Sequence, residues 1–266
     1  MRRLPILSFL LTIFLLGFFP VSAQEFDFNK AYQDYQYNYN LYRSSHIDYI
    51  AARSEYLNYR TLTSQTKAIE KTKEMLLNRA ETLKTYLTAL RIKLRETTGI
   101  TNYDQNISYL KLDNKVTFIS SHKNSLPSAA SLEDLLKIST ELEKAYPEIE
   151  VLSYQTLGKI IIGKENYLRQ KINEQIQMLE EKINEIRNEG EDTTIPERWL
   201  IQTKEKIKRS EEKEKETQTV LGKISTGDTN KIFSWNKVQK LLEEENQYLK
   251  EAISNIKEII REIKND

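Results

Sequence analysis

Hydrophobic and polar positions follow helical spacing along nearly the whole chain. Phe28, Tyr32, Tyr35, Tyr39, Tyr42, His46 and Tyr49 recur at alternating steps of four and three residues, with Tyr56 one heptad later. This predicts a helix carrying one aromatic seam. A second series, Leu62, Ile69, Leu76, Ala80, Leu83, Leu87, Leu90 and Leu94, is displaced by one residue from the first. The offset falls at residues 59–63 and reads as a skip or a kink within one long helix, or as a reversal of the chain. Unbroken over residues 27–98, the helix would be about 108 Å long at 1.5 Å per residue. A compact domain of this length has a radius of gyration of only about 18 Å. The protein is therefore either a rod or a chain that folds back near residue 60.

Beyond a turn at Gly99, residues 103–124 carry Ile107, Leu110, Val116, Phe118 and Ile119 with weaker periodicity. They predict a helix, although residues 115–120 also suit a short strand. Ser131 and Asp134 have the spacing of a capping box that opens the next helix. Its apolar face is Leu132, Leu135, Leu136 and Leu142, and Pro147 is expected to kink it or to start a new helix. Leu168, Ile172, Ile176, Leu179, Ile183 and Ile186 continue at near-heptad spacing until Gly190. Thr194 with Glu197 suggests another helix start. Residues 208–219 are then entirely polar, so that helix is expected to protrude into solvent or to pack weakly. The last helix returns to strict spacing with Val238, Leu242, Glu245, Leu249, Ala252, Ile256, Ile259 and Ile263. The pattern implies an all-α protein, an elongated helical bundle or coiled coil of five or six long helices. Its expected regions are 24–126, the long first helix plus a second, and 127–266, a C-terminal bundle.

The first 23 residues stand apart from this pattern. Met1, Arg2 and Arg3 precede an apolar run over residues 4–19, and Val21-Ser22-Ala23 offers a small-x-small cleavage site. This is the layout of a secretory signal peptide cleaved after Ala23. The run is shorter than the roughly 18 to 20 residues that cross a bilayer. The expected location is secreted or extracytoplasmic, in the cell envelope, with membrane contact only through the signal segment if it is retained.

Composition then narrows the function. The 40 basic residues include Arg2 and Arg3, so the chain beyond the signal, with its 39 acidic residues, is close to neutral. Nothing in that balance favours nucleic acid. The chain has no cysteine, which removes disulfides, thiol catalysis and Cys-ligated metals and leaves stability to helix packing.

Several motifs point toward chemistry, each with a plainer structural alternative. Residues 158–164, Gly-Lys-Ile-Ile-Ile-Gly-Lys, match a phosphate-loop spacing, but Glu165 stands where Ser or Thr would bind magnesium. The structural reading is a helix whose glycines let a neighbour approach while the isoleucines are buried. His46 and His122 share no metal-ligand spacing, and His122 is expected in a loop-like stretch. The glutamates are read as solvated helix faces, with no pocket to create an acid/base pair. Trp199 and Trp235 open the last two helices and would close opposite ends of an antiparallel pair.

Eight of the 15 tyrosines lie between Tyr32 and Tyr59. Tyr32, Tyr35, Tyr39, Tyr42, Tyr49 and Tyr56 form the candidate partner-binding face, with a hydrated core seam as the alternative. The resulting expectation is a non-enzymatic structural or protein-interaction scaffold of the cell envelope that binds protein partners or itself through coiled-coil helix faces. A binding module that uses the tyrosine face for a ligand or glycan is the second expectation. No catalytic residue, cofactor or metal is expected.

Overall fold

A computed structural model describes residues 22–265, and the expected signal peptide lies outside them except for Ser22 and Ala23. Among the described residues there are six α-helices and no strand: α1 Ser22–Tyr59, α2 Leu62–Glu96, α3 Asn102–Ser125, α4 Leu132–Asn188, α5 Thr194–Lys223 and α6 Lys231–Asn265. The fold is an all-α bundle. At 1.5 Å per residue, the 57 residues of α4 make a rod of about 85 Å, far longer than a globule of this mass allows.

The chain folds back at residue 60. Arg60 adopts a left-handed φ of 47°, and its amide donates to the Tyr56 carbonyl at 2.9 Å. Thr61 then caps α2 through a reciprocal bond with Ser64. The one-residue offset in the apolar series therefore marks a reversal, and the unbroken 72-residue helix is ruled out. Lys67 pairs with Glu55, Lys71 with Asp48, and Thr82 donates to the Asn38 carbonyl, which makes α1 and α2 an antiparallel hairpin.

At the next turn Gly99 has φ 81°. A Cβ there would lie 2.0 Å from the Gly163 carbonyl oxygen, so both conformation and space require glycine. Thr101 caps α3, and residues 103–124 are helical throughout, so the strand alternative fails. A 3₁₀ turn, Leu126–Ser128, leads into α4, with Lys73 of α2 donating to the carbonyls of Pro127 and Ala129. The Ser131–Asp134 capping box forms as expected.

Pro147 neither ends α4 nor starts a new helix. It removes one backbone hydrogen bond, but Leu142 and Ile149 on either side are each 2% exposed within a core shared with α2 and α3. Packing holds the helix through the defect. The first half of α4 belongs to that core, while its second half packs with α5 and α6 around Ile176, Ile183, Leu200, Leu249 and Ile259. A middle cluster joins Val151 and Ile162 to Leu221, Ile224 and Val238. One helix is thus common to both ends of the molecule.

The polar helix α5 packs firmly, contrary to expectation. Thr203, Ser210 and Thr217 face inward and are fully buried. Each hydroxyl is satisfied by a carbonyl of its own helix, those of Trp199, Ile207 and Lys213 respectively. Small polar residues that bond to their own turn can line a seam without aliphatic side chains. Salt bridges Lys213–Glu244 and Lys206–Glu251 show α5 antiparallel to α6. Trp235 stacks on Tyr154 at 5.2 Å and Trp199 packs into the opposite end.

The 158–165 segment lies inside α4. A Cβ on Gly158 would meet the Leu221 side chain at 2.5 Å and one on Gly163 would meet Ile100 at 2.4 Å. These glycines admit neighbouring elements, and Ile160 and Ile162 are buried between them. The segment forms no phosphate loop.

Candidate functional site

The aromatic seam of α1 divides along its length. Tyr42 and Tyr49 pack against a core of Met75, Leu76, Leu126 and Leu135, with His46 between them at ring distances of 5.7 and 5.9 Å. Tyr56 is half-buried, and Tyr32 sits between Phe28 and Tyr35 at 5.8 and 6.0 Å. Tyr35, Tyr39 and Tyr42 form one wall of an open cleft of about 650 Å³. Thr82, Leu83 and Tyr86 of α2 make its floor, and Tyr146, Ser153 and Tyr154 of α4 make the facing wall. Three of the six candidate tyrosines therefore line the cleft, and three others that the sequence did not single out complete it.

The cleft exists because α1 packs against α2 and leaves α4 uncovered on that side. Tyr35 meets Tyr86 across it at 5.4 Å. Burial raises the pKa of Tyr35, with Tyr39 and Tyr32 adding to the effect, and burial likewise raises those of Tyr86 and Tyr154. These phenols stay protonated, able to donate and accept hydrogen bonds and to present apolar rings. Arg79, Glu143 and Glu150 supply charge at the border.

A second constellation lies far from the cleft, where α4, α5 and α6 meet. Arg169 of α4 donates to Glu214 of α5 at 2.5 Å, to Asn166 at 2.9 Å and to Ser210 at 3.0 Å, and also to Glu245 of α6. Glu245 is completely buried and Glu165 is 5% exposed. The Oε2 atom of each has no hydrogen-bond partner. Burial drives the Glu165 carboxyl up to about 7, against the pull of bonds from Glu245 and Asn246 and the charge of Arg169. Burial and then the Glu165 charge drive Glu245 higher, to about 9. One arginine cannot neutralise three carboxylates in a dry site, so protons remain on the pair.

This finding corrects the reading of the glutamates as solvated faces: Glu165 and Glu245 form a buried, proton-holding pair, with Glu214 beside them on Arg169. The sequence signal was Glu245 itself, standing at a seam position among Val238, Leu242 and Leu249. Among the described residues no group of His, Cys, Asp or Glu is arranged to hold a metal ion. His122 also departs from expectation, since it lies in the last turn of α3, buried and stacked near Phe118. Burial, reinforced by Arg79, lowers its pKa and keeps the ring neutral.

Comparisons with protein-family models, curated proteins and solved structures find no match to this chain. Its functional reading therefore rests on the two constellations and on the surface of α1. Among the described residues no helix is long and apolar enough to cross a membrane.

Proposed function

We propose that the protein is an exported, non-enzymatic interaction protein of the cell envelope, holding partners through helix faces. The observation that carries this reading is the state of α1. It packs mainly on α2, leaves Tyr37, Ile47, Ile50 and Leu57 exposed, and walls a tyrosine-lined cleft. Protein interfaces favour such amphipathic, low-entropy aromatic anchors at their centres. Export is supported by the basic, apolar and small-residue order of residues 1–23.

A photoreactive amino acid at Tyr39 or Tyr146, with crosslinking in intact cells, tests the proposal. Discrete protein adducts from both positions are expected, and their absence refutes protein docking in the cleft. The cleft also favours a second reading, a small ligand or glycan stacked on the rings, because a volume of about 650 Å³ is within the range of ligand sites. In that case a variant carrying Tyr35→Ala, Tyr39→Ala and Tyr42→Ala keeps its helical spectrum and loses the ligand.

A further inference from the structure

At the outer edge of the seam, Tyr32 and Tyr39 also belong to a second stripe on α1. Tyr32, Tyr39, Ile50 and Leu57 are separated by 7, 11 and 7 residues. At 100° per residue these intervals keep all four within about 20° of one line along the helix. Each is about half exposed, at 44%, 43%, 53% and 48%, although α1 packs along α2. The spacing also reads the same in both directions. If a second α1 is laid antiparallel with its centre between residues 44 and 45, Tyr32 falls opposite Leu57 and Tyr39 opposite Ile50. Each contact then pairs an aromatic ring with a branched aliphatic side chain. Arg43 falls opposite His46 rather than opposite its own copy.

We infer that a second copy of this chain docks on α1 through this stripe, antiparallel and with two-fold symmetry. A two-fold interface must be self-complementary, and the palindromic spacing meets that requirement, which a foreign partner would not impose. At roughly 200 Å² for a whole large side chain, the four residues offer roughly 350 Å² per copy. Exposed Ile47 and the stem of Arg43 widen the strip, bringing the total buried by two copies to about 1,000 Å², the lower end of specific interfaces. An area of this size suits a weak, reversible dimer. The inference rests on the reading of the protein as an interaction molecule and names one partner, on a face that shares Tyr39 with the cleft.

Sedimentation of the purified protein over a concentration series tests it. A monomer–dimer equilibrium in the micromolar range is expected. Tyr39→Lys or Ile50→Glu alone should weaken it at least tenfold, while an equimolar mixture of the two variants, which sets Lys against Glu across the pair, should restore it. Because the chain has no cysteine, register can be read directly. An oxidised mixture of the Tyr39→Cys and Ile50→Cys proteins should crosslink between the two variants, in preference to joining either to itself. A monomer at every concentration overturns the inference, as does a dimer indifferent to both charge variants or one that crosslinks position 39 to 39. The cysteine arm remains decisive if a charged variant loses helicity. Failure here leaves protein docking in the cleft standing, since that is judged by the adducts in cells at Tyr146, which lines the cleft and lies off the stripe.

Discussion

Raising the pH from 5 to 8 should destabilise this protein, and Glu245→Gln should remove most of that effect. In the fold Glu165 and Glu245 hold their protons up to about 7 and about 9, against an ordinary value of 4.5. Between 4.5 and those values the native state binds more protons than the unfolded chain, so stability is greatest at the acidic side of the window and falls as pH rises through it. Each carboxyl can contribute up to about 1.4 kcal/mol per pH unit. Two independent groups would lose about 5 kcal/mol between pH 5 and 7. A proton on Glu245 relieves Glu165, which reduces the expectation to about half, or 2–3 kcal/mol. For a chain of this size that is a fall in Tm of about 5–10 °C.

The surface carboxylates act in a different range. Asp134, bonded by Ser131, and Glu148, bonded by Lys115, are held below their ordinary values, so their contribution is lost only on further acidification. In Glu245→Gln the amide oxygen accepts from Arg169 and the amide nitrogen donates toward Glu165, with no titrating group left at position 245. Thermal melts followed by circular dichroism at pH 5, 6, 7 and 8 provide the assay. The variant should exceed the wild type in Tm at pH 8 and show a much flatter pH profile. A wild-type Tm that is constant across this range, or a variant less stable than wild type at pH 8, refutes the reasoning.

Two further predictions concern the backbone and the remaining member of the charge cluster. Gly99→Ala should cost about 2–4 kcal/mol in chemical denaturation, because strain at positive φ adds to a clash with the Gly163 carbonyl. Gly190→Ala, with a similar φ of 86° but open space around it, should cost only about 1 kcal/mol. Arg169→Leu should destabilise by about 3–5 kcal/mol, since the bonds it makes to Glu214 and Glu245 in the interior are lost with nothing polar to replace them. The loss should differ little between pH 5 and 7, because Glu245 holds its proton throughout that range and Glu165 gives its own up only near 7; denaturation midpoints at the two pH values decide it.

The helices were legible because their stabilising side chains are local and periodic. Residues 62–94 and 238–263 read correctly for that reason, and Ser131 with Asp134 announced a helix start. What failed depended on contacts between distant residues. Whether residues 59–63 were a skip or a reversal turned on the left-handed Arg60, a residue with no turn preference of its own. Pro147 was expected to kink α4 or to start a new helix, because the cores that hold α4 on either side of it come from other helices. In α5 the inward-facing Ser210 and Thr217 carry no hydrophobic signal. Half of the cleft was visible as the α1 stripe, but Tyr86, Tyr146 and Tyr154 are single tyrosines on other helices. The charge cluster spans residues 165 to 245, and only Glu245, out of place in an aliphatic seam, hinted at it.

The hairpin sets where the molecule can be held. The start of α1 lies beside the end of α2, where Lys93 rests over the Phe28 ring at 4.5 Å, and the next turn seats Gly99 against Gly163, near the midpoint of α4. Any attachment made through the N-terminal residues therefore grips this protein at its waist. The α1–α2 tip then reaches out in one direction and the α5–α6 end in the other, as two arms of a balance on one pivot.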